Sequence, residues 1–254
     1  MISVITRVQY PDLHDRMWRS AVKNAASDSV EFLTDGNASG QPNITASYNK
    51  LGAKAAGDIL VFCHDDIEFI EPGWDARLEE FFAQDFDIGG VIGVDRYEGD
   101  LLVSLGHPHC FGKFINRAGD EMRVNIYGPH APNKQLVAVD GMFMAVRASH
   151  FAGHKFDETL DGLFFYDIDY CLRGRVGLLD LMVAHWKPKD RFGVYPVDMN
   201  SMSHYEPYFY GKHKINPSRR IGDTRALCAT QKDYQEQGHD ALWALFERKY
   251  LVNV

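Results

Sequence analysis

The architecture of this chain turns on the run Tyr48-Asn49-Lys50-Leu51-Gly52-Ala53-Lys54-Ala55-Ala56-Gly57-Asp58-Ile59-Leu60-Val61-Phe62-Cys63-His64-Asp65-Asp66. Tyr48, Leu51 and Ala55 recur at helical spacing, and Gly57-Asp58 ends that segment. Ile59 to Cys63 is then an almost continuous apolar run, the pattern of a parallel strand covered on both faces. It stops at three polar side chains, His64-Asp65-Asp66. In an open α/β sheet the ligand crevice lies outside the carboxyl ends of the strands, so such a stop is the first place to look for chemistry.

The same alternation extends in both directions. Upstream, Ile2 to Thr6 reads as a buried strand, Asp12 as the cap of a helix with Leu13, Met17 and Val22 on one face, and Val30 to Thr34 as the next strand. Asp35 to Pro42 is rich in turn formers, and Asn43 or Thr45 begins the helix that carries Tyr48. Downstream, Glu71-Pro72-Gly73 announces a helix with Trp74, Leu78 and Phe81 on one stripe, proline being suited to a first turn. Ile88 to Val94 returns as a strand. Residues 95–135 read as loops or short antiparallel strands, Leu136 to Val146 as an apolar segment interrupted by Asp140-Gly141, and Leu178 to Ala184 as a strand leading to His185. A helix starts near Tyr166, and Leu242, Leu245 and Phe246 form the inner face of a helical tail. One mixed α/β domain spanning residues 1–254 is the simplest account.

Composition narrows the function classes. The chain has 254 residues with 27 basic and 35 acidic side chains, a formal charge of −8 that lacks the basic face needed for nucleic acid or an anionic membrane. Its 45% hydrophobic content is that of a folded globular protein. No stretch approaches the roughly 20 apolar residues of a membrane span. Cys63, Cys110, Cys171 and Cys228 are scattered, without the paired spacing of a zinc or redox site, which fits reduced thiols and a cytoplasmic location.

Three strand ends carry polar residues: Thr6-Arg7, Asp35-Gly36 and His64-Asp65-Asp66. Two adjacent carboxylates in one turn repel each other, and a divalent cation between them and an anionic ligand offsets that cost. Mg²⁺ or Mn²⁺ is the expected ion, since such cations take one or two carboxylates together with substrate phosphates. Taken alone, Asp65-Asp66 also fits a solvated turn that caps the following helix.

The run from Tyr48 to Asp66 resembles the nucleotide-sugar half of family 2 glycosyltransferases, in the glycosyltransferase-like branch that places His-x-Asp where relatives have Asp-x-Asp. Val139-Asp140-Gly141-Met142-Phe143-Met144-Ala145 resembles the acceptor-side strand of that branch. Phe156-Asp157-Glu158 and Phe165-Tyr166-Asp167-Ile168-Asp169-Tyr170-Cys171-Leu172 resemble its Phe-Asp-Glu and Tyr-Asp-x-Asp-x-Cys segments. The matches keep family order from Ile2 to about His185. The resemblance implies a GT-A fold with a mixed central sheet and helices on both faces. Residues 1–94 would form the nucleotide-sugar half, 95–200 the acceptor side and 201–254 a C-terminal extension. It also implies transfer of a sugar from a nucleoside diphosphate, such as a UDP- or GDP-sugar, to an acceptor hydroxyl on a glycan or other molecule, with inversion.

Roles follow from that resemblance. Thr6 and Asp35 would meet the nucleotide at the first two strand ends, with Asn49 and Lys50 approaching from the second helix. Asp66 would ligate the metal, and His64 or Asp65 would contact ribose or the ion through water. Asp167 carries the position of the base that deprotonates the acceptor, and Asp169 makes a structural bond or binds the acceptor. His185 completes the metal site, with His204 as its rival. Simpler readings stand beside these: an Asp-Gly turn at Asp35, a solvated Lys50, an N-cap at Asp167. The pairs His107/His109 and His150/His154 lack the carboxylates of a convincing metal site. Lys212, Lys214, Arg219, Arg220 and Arg225, near Tyr205, Tyr208, Phe209 and Tyr210, form either a solvated tail or a segment that closes over the diphosphate. Two other functions compete. A sugar-nucleotide nucleotidyltransferase would need a Gly-rich basic loop after the first strand, which Thr6-Arg7-Val8-Gln9-Tyr10 lacks. A non-catalytic GT-A module would bind the nucleotide sugar or a glycan without turnover.

Overall fold

The computed structural model describes residues 1–35, 43–96, 109–118, 121–162, 164–186, 205, 207–209 and 211–213. Cys228, His107, His204, Tyr210 and the helical stripe of Leu242 lie outside the described residues. The first strand, β1 (Ile2–Arg7), is followed by α1 (Pro11–Asn24) and β2 (Val30–Thr34), the latter with the expected bounds. Pro11 opens α1, where its missing N–H costs nothing, so Asp12 sits in the first turn and is not the cap. The buried stripe is Met17, Ser20 and Ala21, and Val22 turns outward, half exposed. Ser20 can lie inside because its hydroxyl donates to the Met17 carbonyl and accepts from the Phe69 amide.

Asn43 caps α2 (Ile44–Gly52) through a 2.7 Å bond from the Ala46 amide. This helix ends before Ala55 and leads into β3 (Ile59–His64). A short strand that the sequence reading did not separate, β4 (Ile67–Phe69), comes next, and α3 (Trp74–Phe82) buries Trp74, Leu78 and Phe81 as expected. Gly73 caps α3 with φ of 74°, so Pro72 precedes the helix instead of opening it.

The expected strand Ile88 to Val94 is two strands, β5 (Ile88–Gly90) and β6 (Ile92–Val94), which belong to different sheets. At the break the Val91 carbonyl accepts from the Lys113 amide, and a side chain on Gly112 (φ 123°) would come within 2.2 Å of that carbonyl. Only glycine lets the neighbouring strand pass so close. That neighbour, β7 (Cys110–Ala118), forms an antiparallel pair with β8 (Glu121–Tyr127). Then come β9 (Gln135–Leu136), β10 (Ala138–Val139), β11 (Phe143–Arg147), α4 (Ala148–Gly153) and α5 (Tyr166–Cys171). The expected strand from Leu178 to Ala184 also divides, into β12 (Val176–Leu178) and β13 (Val183–Trp186).

One sheet has the order β2-β1-β3-β11-β5-β12-β9, with β2, β1 and β3 parallel and β11 antiparallel to both its neighbours. The other runs β10-β6-β7-β13-β4, with β8 on β7. Helices cover both faces of the first sheet. Phe62 of β3 packs on Tyr48 of α2 and Phe151 of α4, at ring centroid distances of 5.1 and 5.2 Å. On the opposite face Phe143, in register with Cys63, meets Phe69, which packs on Trp74 of α3. The main apolar cluster extends from Ile2 to Phe209, and Ile115, Val124, Met182 and Ala184 form a second, smaller one. Cys63 and Cys171 are buried free thiols, and Cys110 is buried. Among the described residues no helix is long and apolar enough to cross a membrane.

Candidate active site

The turn at the end of β3 and the strand β13 build one side of the crevice. The antiparallel pairing of β4 with β13 puts His185 in register with Ile67, and the Trp186 amide donates to the Asp66 carbonyl at 2.8 Å. His185 Nε2 then lies 3.2 Å from Asp66 Oδ2, and His64 Nδ1 lies 4.0 Å from Asp66 Oδ1. Trp186 projects away, giving its indole N–H to Glu68 and stacking under the Arg16 guanidinium, so its bulk leaves the His185 side open.

His64, Asp66 and His185 each offer one ligand atom, all within 4.8 Å of one another. Asp66 Oδ1 is buried and has no hydrogen-bond partner, a costly state for a carboxylate oxygen unless something else satisfies it. Burial raises the Asp66 pKa, but the neighbouring His185 and His64 more than offset this and hold it below the usual range. Burial pushes His64 down, which keeps the ring neutral, as a metal ligand must be. His64 Nε2 sits 3.3 Å from the Tyr166 hydroxyl, and the tautomer with its proton on Nε2 turns the Nδ1 lone pair toward Asp66. An orphaned carboxylate oxygen between two imidazoles fits a divalent cation. His204 lies outside the described residues. His150 and His154 stack at 4.4 Å and belong to no such group among the described residues, and His109 pairs with Asp95 at 3.1 Å.

The opposite side is built by the turn Asp140-Gly141 and the first turn of α5. Phe165, in a left-handed conformation with φ of 67°, caps α5, so Asp167 is not the cap. Asp167 Oδ2 accepts from the Gly141 amide and Oδ1 from the Ile168 amide, both at 2.8 Å. Gly141 admits this contact because a Cβ there would come 2.1 Å from the Tyr166 hydroxyl. Burial, and then the charge of Asp140, raises the Asp167 pKa from 3.8 to about 7. Asp140 is held by the Met142 amide at 2.8 Å and also acts on His64. Its place between the two walls was visible in the sequence as an Asp-Gly break in an apolar segment, but no role was read from it.

The remaining expected residues separate. Asp35 reaches Ser47 Oγ at 2.6 Å and the Val8 amide at 3.3 Å, joining the ends of β1 and β2 to α2. Asp65 is buried, its Oδ2 accepting from the Gln9 and Tyr10 amides at the start of α1, and burial raises its carboxyl against those two donors. Thr6 is fully buried and donates to the Cys63 carbonyl at 2.8 Å, so the structure does not bring its side chain to the crevice. Asn49 clamps the chain at Phe156, donating to its carbonyl and accepting from its amide at 2.9 Å each. Lys50 is exposed. Asp169 is fully buried and bonded by Arg173, Lys212 and His213 at 3.0, 2.6 and 2.7 Å, a structural bond in the terms set out above. Lys212 also bonds Asp157, and Phe209 is buried against Phe165 at 4.9 Å, so Phe209 and Lys212 dock on the wall that carries α5.

Comparison with known proteins bears on the fold and the family. A solved structure of GalNAc-T7 with UDP, GalNAc and Mn²⁺ superposes with a TM-score of 0.51 at 12% identity, over 99% of this chain and 58% of that one. The chain thus spans less than two thirds of that structure's length. S. aureus TarS 1–349 in complex with UDP gives a TM-score of 0.43 at 11% identity, over 92% of this chain and 71% of that one. A protein of Fuscovulum blasticum, described as ATP synthase subunits region ORF 6, is 25% identical over 198 residues, 73% of this chain and 75% of its own length. The fold is that of GT-A glycosyltransferases. With a match over residues 20–203, well over half its length, the chain belongs to the glycosyltransferase-like family.

Proposed function

We propose that this single domain is a metal-dependent inverting glycosyltransferase that moves a sugar from a nucleoside diphosphate to a glycan or other hydroxyl acceptor. The observation that carries the reading is the closeness of two unlike groups, linked by the 3.3 Å contact of His64 with the Tyr166 hydroxyl. On one side stands an orphaned Asp66 oxygen between two imidazoles; on the other, a carboxyl whose pKa of about 7 suits a general base at neutral pH. GalNAc-T7, which shares the fold, was solved with UDP and Mn²⁺.

Asp66, His64 and His185 would hold the cation, and the two imidazoles favour a transition-metal ion such as Mn²⁺ over Mg²⁺. When bound, the cation supplies Lewis-acid stabilisation of the charge that develops on the leaving diphosphate. Asp167 takes the acceptor's hydroxyl proton as that oxygen bonds to the anomeric carbon and the bond from that carbon to the phosphate oxygen breaks on the opposite face, which inverts the centre. The Gly141 and Ile168 amides aim the Asp167 carboxylate, and Tyr166 keeps His64 oriented. Asp35 and Asp65 shape the nucleotide side by fixing the loop that follows β1.

A thermal-shift screen against UDP-, GDP- and dTDP-sugars with and without Mn²⁺ tests the reading, because a ligand of the folded state raises its apparent stability. One nucleotide sugar should stabilise the protein in a Mn²⁺-dependent way, and Asp66→Ala or His185→Ala should abolish the dependence. A full Mn²⁺-linked shift in Asp66→Ala would refute the metal assignment.

A further inference from the structure

Arg7 ends β1 beside His64, its register partner on β3. Register partners on neighbouring parallel strands project to the same face of a sheet. Arg7 therefore stands on the face where His64 meets Tyr166, and its charge acts on the Tyr48 phenol, whose ring is 6.2 Å from that of Tyr166. The guanidinium has five N–H donors and stays charged at any physiological pH. None of them has a hydrogen-bond or carboxylate partner among the described residues, and Nε is buried without one.

The carboxylates that could have answered this charge are engaged elsewhere. Asp35 is bonded to the Val8 amide and Ser47, and Asp65 to the Gln9 and Tyr10 amides. Three consecutive amides after Arg7 are thus served by acids, while the cation that precedes them is left over. A buried charged donor without a partner is costly, and an oxyanion arriving from the crevice removes that cost. The position is also specific. Arg7 adjoins a residue of the His64/Asp66/His185 group, so an anion reaching both would bridge two cationic centres, as a diphosphate can.

On the glycosyltransferase reading above, on which this rests, we infer that Arg7 binds the diphosphate of the donor. It is a substrate-binding residue on the nucleotide side of the cation site. It holds the diphosphate in the ground state and continues to neutralise it as the sugar leaves.

The test is calorimetry on the full chain with Mn²⁺, comparing the affinity for UDP with that for uridine, and for GDP with that for guanosine, in wild type and Arg7→Met. Methionine keeps an apolar stem and removes the charge. The preference for diphosphate over nucleoside should fall at least about 10-fold, since hydrogen bonds to charged groups are worth that much. A ratio also cancels any loss of folded protein. Should Arg7→Met fail to fold, Arg7→Lys keeps the charge but not the fork, and its ratio should fall about three-fold. An unchanged ratio in the folded variant overturns the assignment of Arg7 alone. A wild type that binds none of UDP, GDP and dTDP overturns the glycosyltransferase reading and this inference with it.

Discussion

Asp167→Asn separates the base from the rest of the site, because the substitution keeps shape and removes ionisation, together with one of the two backbone-amide bonds that the carboxylate accepts and the Asn nitrogen cannot. Burial, followed by the Asp140 charge, raises this carboxyl from 3.8 to about 7. A raised folded-state pKa means that the folded protein holds the proton more tightly than the unfolded chain does. The stability this contributes is full below pH 3.8 and is lost as pH rises through about 7. A displacement of that size corresponds to at most about 4 kcal/mol. Solvent screening of a half-buried group brings the expectation to about 2 kcal/mol. Urea denaturation at pH 4.5 and pH 8 should therefore show wild type losing about 2 kcal/mol relative to Asp167→Asn across that range. Other titrating groups, His64 and Asp66 included, are common to both proteins and cancel in the difference. Activity should follow the same proton: wild-type turnover rises with pH through about 7, while the variant shows no such rise and loses about 10²–10⁴-fold above it. Nucleotide affinity should stay within a few-fold. Parallel stability curves for the two proteins would refute the perturbed carboxyl, and unchanged turnover would refute the base.

Two further substitutions probe how that carboxyl is held. Gly141→Ala places a Cβ about where the Tyr166 hydroxyl now sits, 2.1 Å away, so α5 must move; a loss of about 1–3 kcal/mol in denaturation together with at least ten-fold lower turnover is expected, and unaltered turnover would show that the contact does not position Asp167. Phe209→Ala removes a fully buried ring stacked on the cap of α5 and should cost about 3–5 kcal/mol; a cost below about 1 kcal/mol would show that Phe209 docks without supporting the core.

Local pattern and tertiary geometry contribute differently here. The run from Tyr48 to Asp66 could be read directly because each of its signals is local: a helical stripe, an apolar strand, a polar stop. β2 has the bounds read for it, and α2 has a cap at Asn43, for the same reason. Where the reading failed, a long-range partner had decided the outcome. Ile88 to Val94 is uniformly apolar, and only the approach of β7 over Val91 divides it between two sheets. Ser20, a polar residue, lies on the buried face of α1 only because the Phe69 amide, on β4, gives its hydroxyl a partner.

The candidate site divides along the same line. Strand and helix periodicity by itself determined that this is an α/β protein, and the resemblance of its ordered motifs to family 2 glycosyltransferases gave Asp66, His185 and Asp167 their expected roles, since residue type and position at a strand or helix end are properties of short segments. Which side chains share a crevice is a property of strand pairing. The β4–β13 ladder sets His185 beside Asp66, the Asp140-Gly141 turn meets α5 at Asp167, and hydrogen bonds to neighbouring strands and loops withdraw Thr6 and Asn49 into the framework. Arg7 shows the limit most clearly. In the sequence it is one of 27 basic residues, and only the tertiary structure shows that its neighbouring acids are spent on backbone amides and that its guanidinium has no partner among the described residues.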